Sequence, residues 1–107
     1  MKRVVEFTDD NFKQEVLDCA TLVLVDFWAT WCSPCKAMMP VVEEVARELG
    51  GTVKIGKLNV DENPDATQRS FVMNIPTLLF FKGGREVGRM VGVNPKEKLV
   101  KEIEALA

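Results

Sequence analysis

The sequence predicts an α/β fold in which a mixed five-stranded central sheet, three parallel strands plus a β-hairpin, is flanked by four helices. Three observations carry this. The 107 residues are 47% hydrophobic, enough for one domain with its own core and too few for two, so residues 1–107 read as a single domain. Strand-like and helix-like patterns alternate as βαβαβα and then close as ββα. The last two strands are separated by a Gly83-Gly84 turn, which makes them an antiparallel hairpin. Helices between the earlier strands imply right-handed parallel crossovers.

Each element has its own signal. Residues 4–7 form a short strand. Thr8 then offers a helix N-cap, and Asp9 and Asp10 suit the positive end of a short helix through Phe12, Val16 and Leu17. Residues 22–28 are a near-continuous apolar strand, the kind buried on both faces, broken only by Asp26. Residues 34–49 form the longest helix, with Met38, Val42, Val45 and Leu49 making one apolar stripe. Pro34 suits its first turn, Pro40 should kink it, and Gly50-Gly51 supplies its stop. Residues 52–60 are the next strand, Asn63-Pro64 a turn or helix start, and residues 65–71 a short helix. Residues 77–81 and 86–91 are the hairpin strands. Asn94-Pro95-Lys96-Glu97 reads as a capping-box start for a last helix buried through Leu99, Val100, Ile103 and Leu106.

Charge excludes several functions. The balance of 14 basic against 16 acidic side chains gives −2, which rules out the footprint of a general nucleic-acid binder. It also argues against docking on an anionic membrane. Met1-Lys2-Arg3 could open an export signal, but Glu6, Asp9 and Asp10 fall where the apolar stretch belongs. The longest apolar run, residues 22–28, is far too short to span a bilayer. The expected compartment is therefore the cytoplasm, where thiols are held reduced. Three cysteines there indicate chemistry, or inert buried thiols, in place of a disulfide scaffold.

Trp31-Cys32-Ser33-Pro34-Cys35-Lys36 begins just past the carboxyl end of the most apolar strand and opens the longest helix. Open α/β sheets place their sites at that end. Unpaired helix N–H groups and the positive dipole end stabilise a thiolate, the reactive form, so Cys32 is the natural nucleophile. Cys35 lies one turn along, close enough to close a disulfide with it. Structural zinc needs four ligands, and the chain has three cysteines and no histidine. An iron–sulfur cluster fails on the same count unless chains share it. Haem attachment needs histidine after the second cysteine, where Lys36 stands. A redox pair remains, with no metal and no resident cofactor.

The run Val25-Asp26-Phe27-Trp28-Ala29-Thr30-Trp31-Cys32-Ser33-Pro34-Cys35-Lys36 resembles the active-site signature of the thioredoxin family. The similarity continues through Pro40, Lys57, Asp61, Ile75-Pro76-Thr77, Gly84 and Gly92, and so covers essentially the whole chain. The resemblance implies the thioredoxin fold and reduction of disulfides in other proteins. It implies an NADPH-dependent flavoprotein, thioredoxin reductase, as the partner that recharges the pair. A monomer is expected, with no nucleic-acid or membrane partner.

Site roles follow from the same resemblance. The matching proline in the family follows a cis bond and faces the cysteine pair, so Ile75–Pro76 is where a cis bond is expected. The backbone of Ile75 could then pair with an extended substrate segment. Trp31 should flank the docking groove, and Trp28 should pack beneath the site. Gly92 would keep the groove wall low, though by pattern alone it is a strand terminator. Alternation puts Asp26 on a helix-covered face with Leu22, Leu24 and Trp28, where a buried carboxyl has a raised pKa. The family reading makes it proton acceptor and donor for Cys35, with Lys57 as its partner; taken alone, Lys57 reads equally as a solvated lysine. Ser33 and Asn74 stand where the family has glycine, and Ser33 touches the thiolate's environment, so with Pro34 it tunes the reduction potential. Cys19 is given no catalytic role. Two rivals predict other behaviour: an oxidase or isomerase would belong in an oxidising compartment, and a non-catalytic module would work without its cysteines.

Overall fold

A computed structural model describes residues 4–107, so Met1, Lys2 and Arg3, weighed above as an export start, lie outside the described residues. Its elements are β1 (Val4–Glu6), a π-helical turn (Lys13–Leu17), β2 (Val23–Trp28) and α1 (Ser33–Leu49). There follow β3 (Lys54–Asn59), α2 (Pro64–Arg69), β4 (Thr77–Lys82), β5 (Arg85–Val91) and α3 (Lys96–Leu106). The five strands form one sheet in the order β1-β3-β2-β4-β5. β3 runs parallel to both β1 and β2, whereas β4 is antiparallel to β2 and β5 to β4. The mixed sheet is therefore three parallel strands extended by a hairpin.

β2 is central because its side chains are apolar on both faces, and Val23, Leu24, Val25 and Phe27 are wholly buried. On one face Leu24, Ile55, Leu78 and Phe80 meet Met38, Val42 and Val45 of α1 and Leu99 and Ile103 of α3. On the other face Val23, Val25, Phe27, Leu79 and Phe81 meet Phe12, Val16 and Ala66. Phe7, just past β1, also belongs to this second layer, and its ring lies where a side chain at Gly56 would otherwise project. The sheet is thus covered on both sides, and its strand ends carry the site.

Several local expectations need correction. The first helix is a single π turn, closed by the Asp18 N–H to the Lys13 carbonyl at 2.8 Å. Thr8 does not cap it directly: the Thr8 and Asn11 side chains accept from each other's N–H groups, fixing the turn before it. Leu17 is 37% exposed, outside the buried face that Phe12 and Val16 make. Asp9 caps another helix altogether, its carboxylate accepting from Ala66 N–H at 2.8 Å and Asp65 N–H at 3.2 Å, at the start of α2. At the last helix Pro95, not Asn94, takes the cap position, and the Asn94 amide turns back to the Gly92 carbonyl. The stop of α1 at Gly50 is as expected; its dihedrals are ordinary right-handed ones, and the need for glycine there is steric, since a Cβ would lie 2.6 Å from the Ala46 carbonyl oxygen.

Candidate functional site

Cys32 is the N-cap of α1, with extended dihedrals (φ −96°, ψ 105°) that end β2's loop and release the chain into the helix. Pro34 fits the first turn because its missing N–H would have no helical acceptor there. Cys32 and Cys35 are joined by a disulfide with their Cα atoms 5.3 Å apart. The Cys32 sulfur also accepts the Cys35 N–H at 3.2 Å, so it occupies the place of a capping oxygen. Once the bond is reduced, a thiolate at this position faces the positive end of a 17-residue helix. The two sulfurs differ in access. Cys32 keeps 5% of its surface exposed and Cys35 none, so a macromolecular disulfide can reach only the first.

Trp28, Val60 and Ile75 surround a small cluster of Ala29, Cys32 and Cys35 beside the main core. The Ile75–Pro76 peptide bond is cis, and the Ile75 carbonyl oxygen lies 3.9 Å from Cys32 Sγ. Pro76 is buried and its carbonyl accepts from Gly92 N–H at 2.8 Å, which ties the end of β5 to this edge. Gly92 has φ +86°, a conformation L side chains seldom adopt, and a Cβ there would meet nothing within 4 Å. Gly92 therefore follows β5 in a backbone conformation that favours glycine. Ser33 and Pro34 are exposed at the mouth of the helix.

Asp26 is wholly buried on the face covered by α1 and α3, opposite Lys57 on β3 and Leu78 on β4. Neither carboxylate oxygen has a hydrogen-bond partner among the described residues. Burial therefore pushes its pKa from 3.8 up to about 7, and the nearby Lys57 charge only partly offsets the rise. Lys57 makes no direct ion pair with it among the described residues; its ammonium sits 5.2 Å from the centroid of the Trp28 ring. Lys57 is half-buried there, between the partner and the solvated extremes. Trp28 is itself half-buried, and its indole N–H has no partner among the described residues.

Trp31 is 68% exposed and its indole N–H donates to Asp61 at 2.8 Å. Sequence reasoning gave Asp61 no role. The signal was available: Asn59, at the carboxyl end of β3, accepts with its side chain from the Asp61 and Glu62 N–H groups, and so turns Asp61 toward the β2 end. The arrangement as a whole can cycle between dithiol and disulfide, with a buried carboxyl able to carry a proton near neutral pH.

The thioredoxin family model matches residues 3–105. The chain is similar to thioredoxin 1 of Nostoc sp., 47% identical over 104 residues covering 97% of each chain. It is 52% identical over 92 residues to a thioredoxin of Alicyclobacillus acidocaldarius, covering 86% of this chain and 87% of that one. Thioredoxin C-2 of Corynebacterium nephridii is 48% identical over 101 residues, 94% of each chain.

Proposed function

The chain belongs to the thioredoxin family and is a protein thiol–disulfide oxidoreductase, and from that premise we propose that its dithiol form reduces disulfides in other proteins with Cys32 as nucleophile and Cys35 as resolving thiol. The observation that carries the assignment is the unequal burial of a disulfide-bonded pair at a helix N-terminus. Cys32 thiolate attacks one sulfur of the substrate disulfide; an S–S bond forms, the substrate bond breaks, and a substrate thiolate leaves. Cys35 then gives its proton to the Asp26 carboxylate and attacks Cys32 sulfur. The second substrate thiolate departs and the two electrons have passed from the pair to the substrate. Asp26 suits this task because a pKa of about 7 lets it accept and return a proton at neutral pH. Lys57 moderates that pKa, Ser33 and Pro34 set the thiolate's surroundings, and Trp28 backs the pair.

The docking surface combines Trp31, the Ile75 backbone, Pro76 and Gly92. The Ile75 carbonyl beside Cys32 supports an extended substrate strand as the bound form. Thioredoxin reductase, an NADPH-dependent flavoprotein, returns electrons to the pair, and the chain works as a cytoplasmic monomer of one domain over residues 1–107. No helix among the described residues is long and apolar enough to cross a membrane.

Two variants test the roles. Cys32→Ser abolishes disulfide reduction, and Cys35→Ser accumulates covalent mixed disulfides with substrate proteins, read on non-reducing gels. Normal turnover by Cys35→Ser, or trapping by Cys32→Ser, reverses the assignment.

A further inference from the structure

β5 contains a bulge. Phe81 pairs with Glu86 and Phe80 with Gly88, so Val87 is the extra residue. In a regular strand residues three apart point to opposite faces, but the bulge removes one step. Glu86, opposite Phe81, and Arg89, opposite Leu79, therefore share the face on which α2 packs. There the Arg89 guanidinium donates to both Glu86 carboxylate oxygens, at 3.0 and 3.1 Å. Its remaining donors reach the Ser70 carbonyl at 2.8 Å and the Phe71 carbonyl at 3.0 Å. Only a planar fork satisfies a carboxylate and two carbonyls at once.

Those carbonyls belong to an unusual turn. Phe71 N–H bonds to the Gln68 carbonyl and Val72 N–H to the Thr67 carbonyl, the Schellman ending of a helix. Its left-handed position normally holds glycine, yet here Phe71 has φ +54° with its side chain 77% exposed. Four residues later the chain reaches Ile75, whose carbonyl faces Cys32. The Asn74 carbonyl accepts from the Thr77 hydroxyl, so residues 70–74 are tethered at both ends.

We infer that Arg89 is a positioning residue for protein substrates: it holds Phe71 in the left-handed turn and so fixes the Ile75 backbone on which an extended substrate docks. The inference rests on the docking role proposed above for Ile75. Arg89 takes no part in electron transfer, so its effect falls on KM for a protein disulfide.

The test measures reduction of insulin, which presents an extended chain, and of a small aromatic disulfide, which does not. Arg89→Met raises KM for insulin about two- to tenfold, the range a lost hydrogen bond spans, with a smaller change in kcat. The small disulfide loses less than insulin. Arg89→Gln, which keeps two donors, falls between. Adding Phe71→Gly to Arg89→Met restores the insulin KM, because glycine adopts φ +54° unaided. A lower melting temperature with unchanged insulin KM makes Arg89 structural and overturns the inference. So does equal loss on both substrates, or failure of Phe71→Gly to rescue. Cys32→Ser is measured alongside: surviving activity there overturns the underlying reading and this one with it, whereas lost activity there with an unchanged Arg89→Met KM overturns this one alone.

Discussion

Replacing Asp26 by alanine should make the protein more stable above neutral pH, by an amount that depends on pH in a defined way. The carboxyl is wholly buried, with both oxygens unpartnered among the described residues, and its pKa rises from 3.8 to about 7. Between those values the folded state holds a proton that the unfolded chain has lost, so stability falls as pH rises through the interval. A shift of about 3 units at about 1.4 kcal/mol each gives a total of about 4 kcal/mol, fully expressed above pH 7 and absent below about pH 4. Alanine removes this cost but leaves a small cavity, which costs a pH-independent amount on the order of 1–2 kcal/mol. The stability difference between variant and parent should therefore widen in favour of the variant by about 4 kcal/mol from pH 4 to pH 9. Urea unfolding at several pH values, with the pair kept oxidised, measures it. A difference that stays constant with pH, or narrows as pH rises, refutes the reasoning. Single-turnover reduction by the same variant should slow, most of all where Cys35 must lose its proton; normal rates refute the proton-transfer role.

Three further outcomes are expected. Ser33→Gly should lower the reduction potential by about 30–60 mV, since a hydroxyl donating to the Cys32 thiolate is worth about 1.5–3 kcal/mol and favours the reduced form; a rise or no change in redox titration means the hydroxyl serves another group. Asp61→Ala should speed solvent exchange of the Trp31 indole proton, whose nitrogen now lies 2.8 Å from the Asp61 carboxylate, and an unchanged exchange rate by NMR counts against the contact. Asp9→Ala should destabilise the fold by about 1–2 kcal/mol through loss of the α2 cap, with Asp9→Asn costing less; denaturant midpoints decide, and equal effects of the two discount the cap.

The order of elements was legible because each carries a local pattern, such as the stripe of Met38, Val42 and Val45 or the apolar run of β2. The cysteine pair was legible for the same reason: strand, site and helix are adjacent in the chain. What sequence reading missed is non-local. Asp9 looks like a cap for the turn that follows it, but its carboxylate serves Asp65 and Ala66, more than fifty residues away. Asn94 has the right side chain for a cap, yet the cap position falls one residue later, at Pro95, and the Asn94 side-chain N–H donates back to the Gly92 carbonyl. Arg89 and Glu86 sit on opposite faces in any regular strand, so only the bulge, visible in the pairing of β4 with β5, brings them to one face. Asp26 was found because a charge inside an apolar run breaks the pattern. Its distance from Lys57 was not, since that depends on where the lysine stem runs, and here it runs over Trp28.

The bulge at Val87 also governs what the sheet edge can bind. β5 is an outer strand, and an outer strand offers a row of free N–H and C=O groups to any extended chain it meets. A protein whose substrates present such chains encounters this hazard at every turnover. Val87 breaks the repeat in mid-strand, and Arg85, Glu86 and Arg89 place charge along it, so a second strand finds no continuous register there. The opposite edge, β1, spans three of the described residues, Val4–Glu6. The Ile75 backbone proposed above as the docking strand lies apart from both borders, beside the Cys32 sulfur. An irregularity in the hairpin thereby denies an incoming chain a regular edge to extend.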